Sequence, residues 1–170
     1  MVVIVMGVSG AGKTTVGRAL AERLGWTFED ADDWHSAANI AKMRSGHELS
    51  DEDREPWLRS LSRAIQDWVA GARNAVLACS ALKASYRATL RSGAASGASI
   101  RFGYLKGTFE QIQRRLESRG GHFMPESLLR SQFETLEEPD ASEAFVVDAA
   151  LSVPQIVDAI IQGLRLETRE

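Results

Sequence analysis

A single cysteine, Cys79, means that no disulfide can form within this chain, and one thiol gives no sign of an oxidising compartment. A cytoplasmic location is the expectation. The three histidines share no metal-ligand spacing with that cysteine, so no structural zinc site is expected. Long apolar runs are missing as well. The run Val2–Met6 is too short for a signal-peptide core or a membrane span and has no basic leader, so no membrane is expected as a partner. Nor is there an excess of positive charge: 20 Lys and Arg stand against 23 Asp and Glu, a net charge of −3 that argues against nucleic acid. There is no internal repeat and no linker long enough to separate domains. The 170 residues therefore read as one domain, 1–170, with enough hydrophobic content (44%) to build a core without staples.

What is present is concentrated near the start. Gly7-Val8-Ser9-Gly10-Ala11-Gly12-Lys13-Thr14 matches G-x-x-x-x-G-K-[ST], and its flanks have the required character. Val2–Met6 before it reads as a buried parallel strand, and Val16, Ala19, Leu20 and Leu24 after it recur at helical spacing. Strand, glycine-rich loop and helix make a phosphate-binding loop. The glycines let backbone N–H groups turn inward, and the helix N-terminus adds partial positive charge. Gly7, Ser9, Gly10, Ala11, Gly12, Lys13, Thr14 and Thr15 are thus expected to hold a nucleoside triphosphate. Lys13 would reach its β- and γ-phosphates, and the Thr14 hydroxyl would ligate Mg²⁺.

Four further runs, 27–30, 75–79, 99–105 and 144–147, read as strands. Between them lie helical patterns. The stripe Trp57, Leu58, Leu61, Ile65, Trp68 and Val69 predicts one helix starting close to Asp53, where Pro56 would be tolerated in the first turn. Others are expected over 82–91, 109–118, 126–136 and 154–164. Alternating strands and helices imply an α/β fold, a five-stranded parallel sheet covered on both faces, with the ligand at the carboxyl ends of the strands.

Several clusters could carry chemistry at that edge. Asp30 and Asp32 follow the second strand and would share a side if it continued; such acids hold Mg²⁺ waters and orient or accept a hydroxyl proton. His35 reads equally as a substrate ligand or as a loop histidine, whereas His47 has no supporting context and reads as surface. Asp51, Glu52, Asp53 and Glu55 suit a helix start, which makes Arg54, a cation where the dipole disfavours one, a candidate anion ligand. Lys83 and Arg87, four apart on one helix, read as an anion-binding pair or as an ordinary surface pair. Arg115, Arg119 and His122 surround Gly120-Gly121; this pattern favours a mobile lid over 115–126 above a plain helix cap.

Taken together, the chain resembles the gluconate kinase (gluconokinase) family of small phosphate-loop carbohydrate kinases over nearly its whole length. The resemblance rests on the phosphate loop, Asp30-Ala31-Asp32 with His35, Asn39-Ile40, Lys42-Met43, Gly46, Leu49, and Asp53-Arg54 with Trp57-Leu58. It continues through Cys79-Ser80-Ala81-Leu82-Lys83, Tyr86-Arg87, Leu105-Lys106-Gly107, Arg115, Arg119, His122-Phe123, Ser131-Gln132-Phe133 and Leu136-Glu137. Where the family often has proline after the histidine this chain has Ser36, and Asp33-Trp34 replaces a common aromatic or aliphatic pair. The resemblance implies a shikimate- and nucleoside-monophosphate-kinase-like three-layer α/β/α sandwich with a substrate-binding helical region over 31–73. It also implies ATP with Mg²⁺ and phosphorylation of D-gluconate at O6 by an enzyme that is commonly a cytoplasmic homodimer. On that reading Lys13, Asp32 and Arg119 are catalytic and Arg115 joins the loop on the nucleotide. Asp32, His35, Arg54, Ser80, Lys83, Arg87 and His122 bind the acceptor, while Thr14 and, through water, Asp30 hold the metal. The alternatives are a shikimate or nucleoside-monophosphate kinase and a non-catalytic nucleotide-binding regulator.

Overall fold

A computed structural model describes residues 1–94, 99–118 and 125–167. The strands are β1 (Val2–Met6), β2 (Thr27–Asp30), β3 (Ala75–Ala78), β4 (Ile100–Lys106) and β5 (Phe145–Asp148), in one parallel sheet ordered β2-β3-β1-β4-β5. The helices are α1 (Lys13–Leu24), α2 (Ala37–Arg44), α3 (Asp51–Ala70), α4 (Ala84–Arg91), α5 (Phe109–Ser118), α6 (Glu126–Thr135) and α7 (Val153–Gly163). All five residues of β1 are buried, as a central parallel strand requires. Its alternate side chains serve two cores. Val2, Ile4 and Met6 pack with Trp57, Leu61 and Ile65 of α3 and Leu90 of α4; Val3 and Val5 pack with Leu20 of α1 and Ile156 and Ile160 of α7. The three-layer architecture follows from that alternation. Among the described residues no helix is long and apolar enough to cross a membrane.

One local expectation is corrected. The longest helix begins at Asp51, because the Ser50 hydroxyl accepts the Asp53 N–H at 3.1 Å and the Asp53 carboxylate accepts the Ser50 N–H at 2.8 Å. Pro56 therefore lies in the second turn rather than the first. The second strand spans Thr27–Asp30, as expected, and does not continue to Asp32; a 3₁₀ turn, Ala31–Trp34, follows it. Helix α2, inside the helical region that the resemblance implies, had no apolar pattern to mark it; Ser36 caps it by accepting the Asn39 N–H at 3.1 Å, yet only Asn39 in it is buried. With so little buried face it leaves no apolar period to read.

Arg87 is the largest fully buried side chain, 1% exposed. Its guanidinium pairs with the Glu143 carboxylate at 2.7 and 3.0 Å. It also donates to the carbonyls of Ala81, Leu82 and Glu137 at 3.0–3.1 Å. Ala81 has a φ of 47°, unusual for a residue with a Cβ, so Arg87 clamps a strained turn at the end of β3. The expectation that Arg87 binds the acceptor is thereby overturned, since its donors are engaged inside the fold. Removing the buried guanidinium leaves three carbonyls without their donor and Glu143, 26% exposed, without its partner. Arg87→Ala is therefore expected to lower stability by about 3–5 kcal/mol, measured by urea or thermal unfolding, with turnover per folded molecule little changed.

Candidate active site

The phosphate loop joins β1 to α1 through glycines that other residues could not replace. At Gly7 φ is 146°, and a Cβ would lie 2.9 Å from the Leu105 carbonyl oxygen. Gly12, at φ 100°, caps α1, which starts at Lys13 itself. The Lys13 ammonium folds back across the loop and donates to the Val8 carbonyl at 3.0 Å. Burial lowers its pKa, chiefly against the attraction of Asp32. Thr14 donates to Asp30 Oδ2 at 2.8 Å, while Asp30 Oδ1 accepts the Asp32 N–H at 3.1 Å. Asp30 and Asp32 thus meet the loop at one edge through a side-chain cap, not through the pleat of a continuing strand. A threonine hydroxyl beside carboxylates is an oxygen-only donor set, which suits the hard cation Mg²⁺ with some of its waters retained. Thr15 is exposed on the first turn of α1.

Beside the loop lies a cavity of about 220 Å³. Ser9, Lys13, Asp32, His35, Arg54 and Ser80, all expected site residues, line it. Although the Asp32 side chain opens to solvent, the surrounding protein raises its carboxyl pKa above the usual range, with Asp30 adding to the effect and Lys13 opposing it. His35 stacks on Trp57, rings 4.3 Å apart and 13° from parallel, and its Nδ1 is buried without a partner. Burial lowers the imidazole pKa against the pull of Asp32, so His35 is neutral at pH 7 and able to hydrogen-bond a hydroxyl. Cys79, next to Ser80, is no nucleophile, because burial pushes its thiol up to about 12.

Arg54, Lys83 and Arg87 do not gather as an acceptor-side trio. Arg54 lines the cavity, but Arg87 faces the interior and Lys83 is outside the wall, held by both oxygens of Asp51 at 2.8 and 2.9 Å. With extended backbone (φ −93°, ψ 147°), Lys83 precedes α4 and does not share a helical face with Arg87. Arg115 is likewise committed, donating to the carbonyls of Ala11 at 3.0 Å and Ala149 at 2.5 Å. In the ligand-free chain it braces the phosphate loop from α5. Arg119, His122 and the double glycine lie outside the described residues.

Other wall residues were not assigned a role in the site. His47 is exposed, as expected, and also lines the cavity rim, where it shares a 2.9 Å hydrogen bond with Ser45. Gln132 of α6 grips the phosphate loop twice: its Oε1 accepts the Ser9 N–H at 2.7 Å, and its Nε2 donates to the Ser9 hydroxyl at 3.0 Å. Trp57 was legible as a core residue of α3, but its service as the platform under His35 was not. Its indole N–H donates to the Ala31 carbonyl at 2.8 Å, tying α3 to the acidic turn.

Comparison with known proteins places this geometry. The sequence profile of the AAA domain matches residues 2–139. A gluconokinase from Gluconobacter oxydans (strain 621H) is 44% identical, the match covering 91% of this chain and 85% of the relative. A crystal structure of a gluconokinase from Sinorhizobium meliloti 1021 superposes with a TM-score of 0.85 at 43% identity, covering 96% and 90% of the two chains. The chain belongs to the gluconokinase family. Shikimate kinase from Aquifex aeolicus vf5 shares the fold alone, with a TM-score of 0.57 at 18% identity over 97% and 96% of the chains. For a gluconokinase-family site, the raised Asp32 pKa has a stability consequence. A carboxyl whose folded pKa is raised is destabilising once ionised, so the free protein loses stability as pH rises through that range. Asp32→Asn is expected to melt above wild type at pH 7. The gain should shrink as pH falls toward the ordinary carboxyl value of 3.8 and vanish below it, where Asp32 is protonated in the folded and unfolded chain alike. Melting curves at pH 7 and pH 4 of the ligand-free variants check this.

Proposed function

We propose that this chain transfers the γ-phosphoryl group of ATP to the 6-hydroxyl of D-gluconate, giving 6-phosphogluconate and ADP. One observation carries the reading: a single cavity is walled by the phosphate-loop lysine Lys13, by Asp32 of the acidic turn, and by Arg54 with His35. Loop N–H groups and Lys13 hold the β- and γ-phosphates, Lys13 leaving the Val8 carbonyl for the stronger anion. Thr14 and, through water, Asp30 would hold Mg²⁺, which neutralises phosphate charge when bound. The acceptor's oxygen forms a bond to the γ-phosphorus, the bond from phosphorus to the β–γ bridging oxygen breaks, and the hydroxyl proton passes to Asp32. A carboxyl of raised pKa is the better acceptor for that proton. His35 and Ser80 face the acceptor's hydroxyls, and Arg54 takes its carboxylate. Arg119 and His122 are assigned to the phosphates and to the acceptor from the lid segment.

Release of ADP followed by a coupled assay across gluconate, glucose, shikimate and nucleoside monophosphates tests the reaction; turnover with gluconate alone is the expected result. Lys13→Ala should lower kcat by about 10²–10³-fold, as loss of one preorganised charge contact does. Asp32→Asn should cost about 10²–10⁴-fold in kcat while ATP binding persists, whereas Asp30→Asn should raise the Mg²⁺ requirement. Magnesium titration of both variants separates the roles, and reversed phenotypes would mean that the acids are exchanged. Arg54→Ala should raise the gluconate KM by about 30- to 1000-fold with little change in the ATP KM, since it removes a charged hydrogen bond in a closed site. Glucose turned over as well as gluconate would eliminate the anion pocket.

A further inference from the structure

Arg54 is held in place by a relay that the reaction as described does not use. Its Nη1 donates to the Tyr86 hydroxyl at 3.2 Å, and its guanidinium carbon lies 5.7 Å from the Tyr86 ring centroid. The Tyr86 hydroxyl donates to Asp51 Oδ1. A phenol has one proton, and with that proton on Asp51 the oxygen is left to accept from Arg54. The direction of the relay is therefore set: Arg54 to Tyr86 to Asp51. Tyr86 is 6% exposed and packs in the core with Trp57, so its oxygen is a rigid post. Asp51 also accepts from Lys83 through both oxygens, which holds that ammonium away from the cavity wall. The two residues on the first turns of α3 are thereby matched to the two that open α4.

We propose that Tyr86 is a positioning residue that aims Arg54 at the acceptor's carboxylate, with Asp51 directing the phenol and withdrawing Lys83. This rests on Arg54 being the carboxylate's partner. The guanidinium is a planar fork, so fixing one nitrogen fixes the direction in which its other donors point; a two-toothed grip on a carboxylate needs that direction held. With Lys83 neutralised by Asp51, the described acceptor wall presents one arginine to a substrate bearing one carboxylate.

The alternative is that Tyr86 only fills the core. Tyr86→Phe separates the two, because it keeps the ring and removes the post. Steady-state kinetics with gluconate and ATP are measured for Tyr86→Phe, Arg54→Ala and the double variant, alongside melting temperatures. The expected result is a gluconate KM raised about 3- to 15-fold by Tyr86→Phe, with kcat and the ATP KM within about twofold. In the Arg54→Ala background the same change should add nothing, because a residue acting through Arg54 has no effect without it. Equal factors in both backgrounds would overturn the proposal. So would an unmoved KM in Tyr86→Phe beside a raised one in Arg54→Ala, which leaves the anion pocket standing. An unmoved KM in Arg54→Ala itself removes the pocket and the relay together.

Discussion

The carboxylate of Asp30 holds both halves of the site, accepting from Thr14 on the first turn of α1 with one oxygen and from the Asp32 N–H with the other. Its place is set by the sheet. β2 is an edge strand that pairs with β3 alone, and Asp30 is the last paired residue, opposite Ala78. Beyond that point the ladder no longer guides the chain, and the side chain of Asp30 takes over as the cap of the turn that carries Asp32. The indole of Trp57 fastens the same turn from α3. Phosphate side and acceptor side are thus registered to each other through one carboxylate, a hydroxyl and a backbone amide, all short-range and directional.

Around that link the charges fall into two kinds. Lys13, Asp32 and His35 are all shifted toward their neutral forms, each mainly by removal from water. They stand with incomplete compensation in a concave site, the condition under which a polyphosphate and a hydroxylated acid gain most from arriving. Arg87 and Arg115 are the opposite case. Their guanidiniums are met by carbonyls or a carboxylate of the fold. They hold turns and the loop in shape, and Arg87, 1% exposed, has no face toward the cavity. Sequence alone gives both kinds the same letter.

The strands and the phosphate loop were legible because their signals are local: β-branched runs bury a parallel strand, and a glycine loop must be glycine where φ is positive and a carbonyl is close. Core helix α3 was legible from its stripe, although the cap at Ser50, which moved its start, depended on reading an aspartate in the role more often given to glutamate. Helix α2 and the 3₁₀ turn were not, for they bury too little to impose a period. In the site, the loop residues, Asp30, Asp32 and Arg54 could be named from spacing and from the chemistry of their neighbours. The roles of Gln132 and Tyr86 could not, although both belong to segments that carry the family resemblance, because their partners Ser9, Arg54 and Asp51 are distant in the chain and only the fold brings them together.

The sequence by itself determined that a strand, a glycine loop and a helix would build a phosphate cradle with two acids following the second strand at the same edge of the sheet. That much is decided by backbone conformation and by periods of two and 3.6 residues, which are properties of adjacent positions. Which cations serve the ligand was decided only by the tertiary structure. Arg54, Lys83 and Arg87 differ little as residues, yet Glu143 and three carbonyls take Arg87, Asp51 takes Lys83, and Arg54 alone of these three reaches the cavity wall. A charge is free or committed according to the partners that the fold brings within about 3 Å, and most of those partners lie dozens of residues away along the chain.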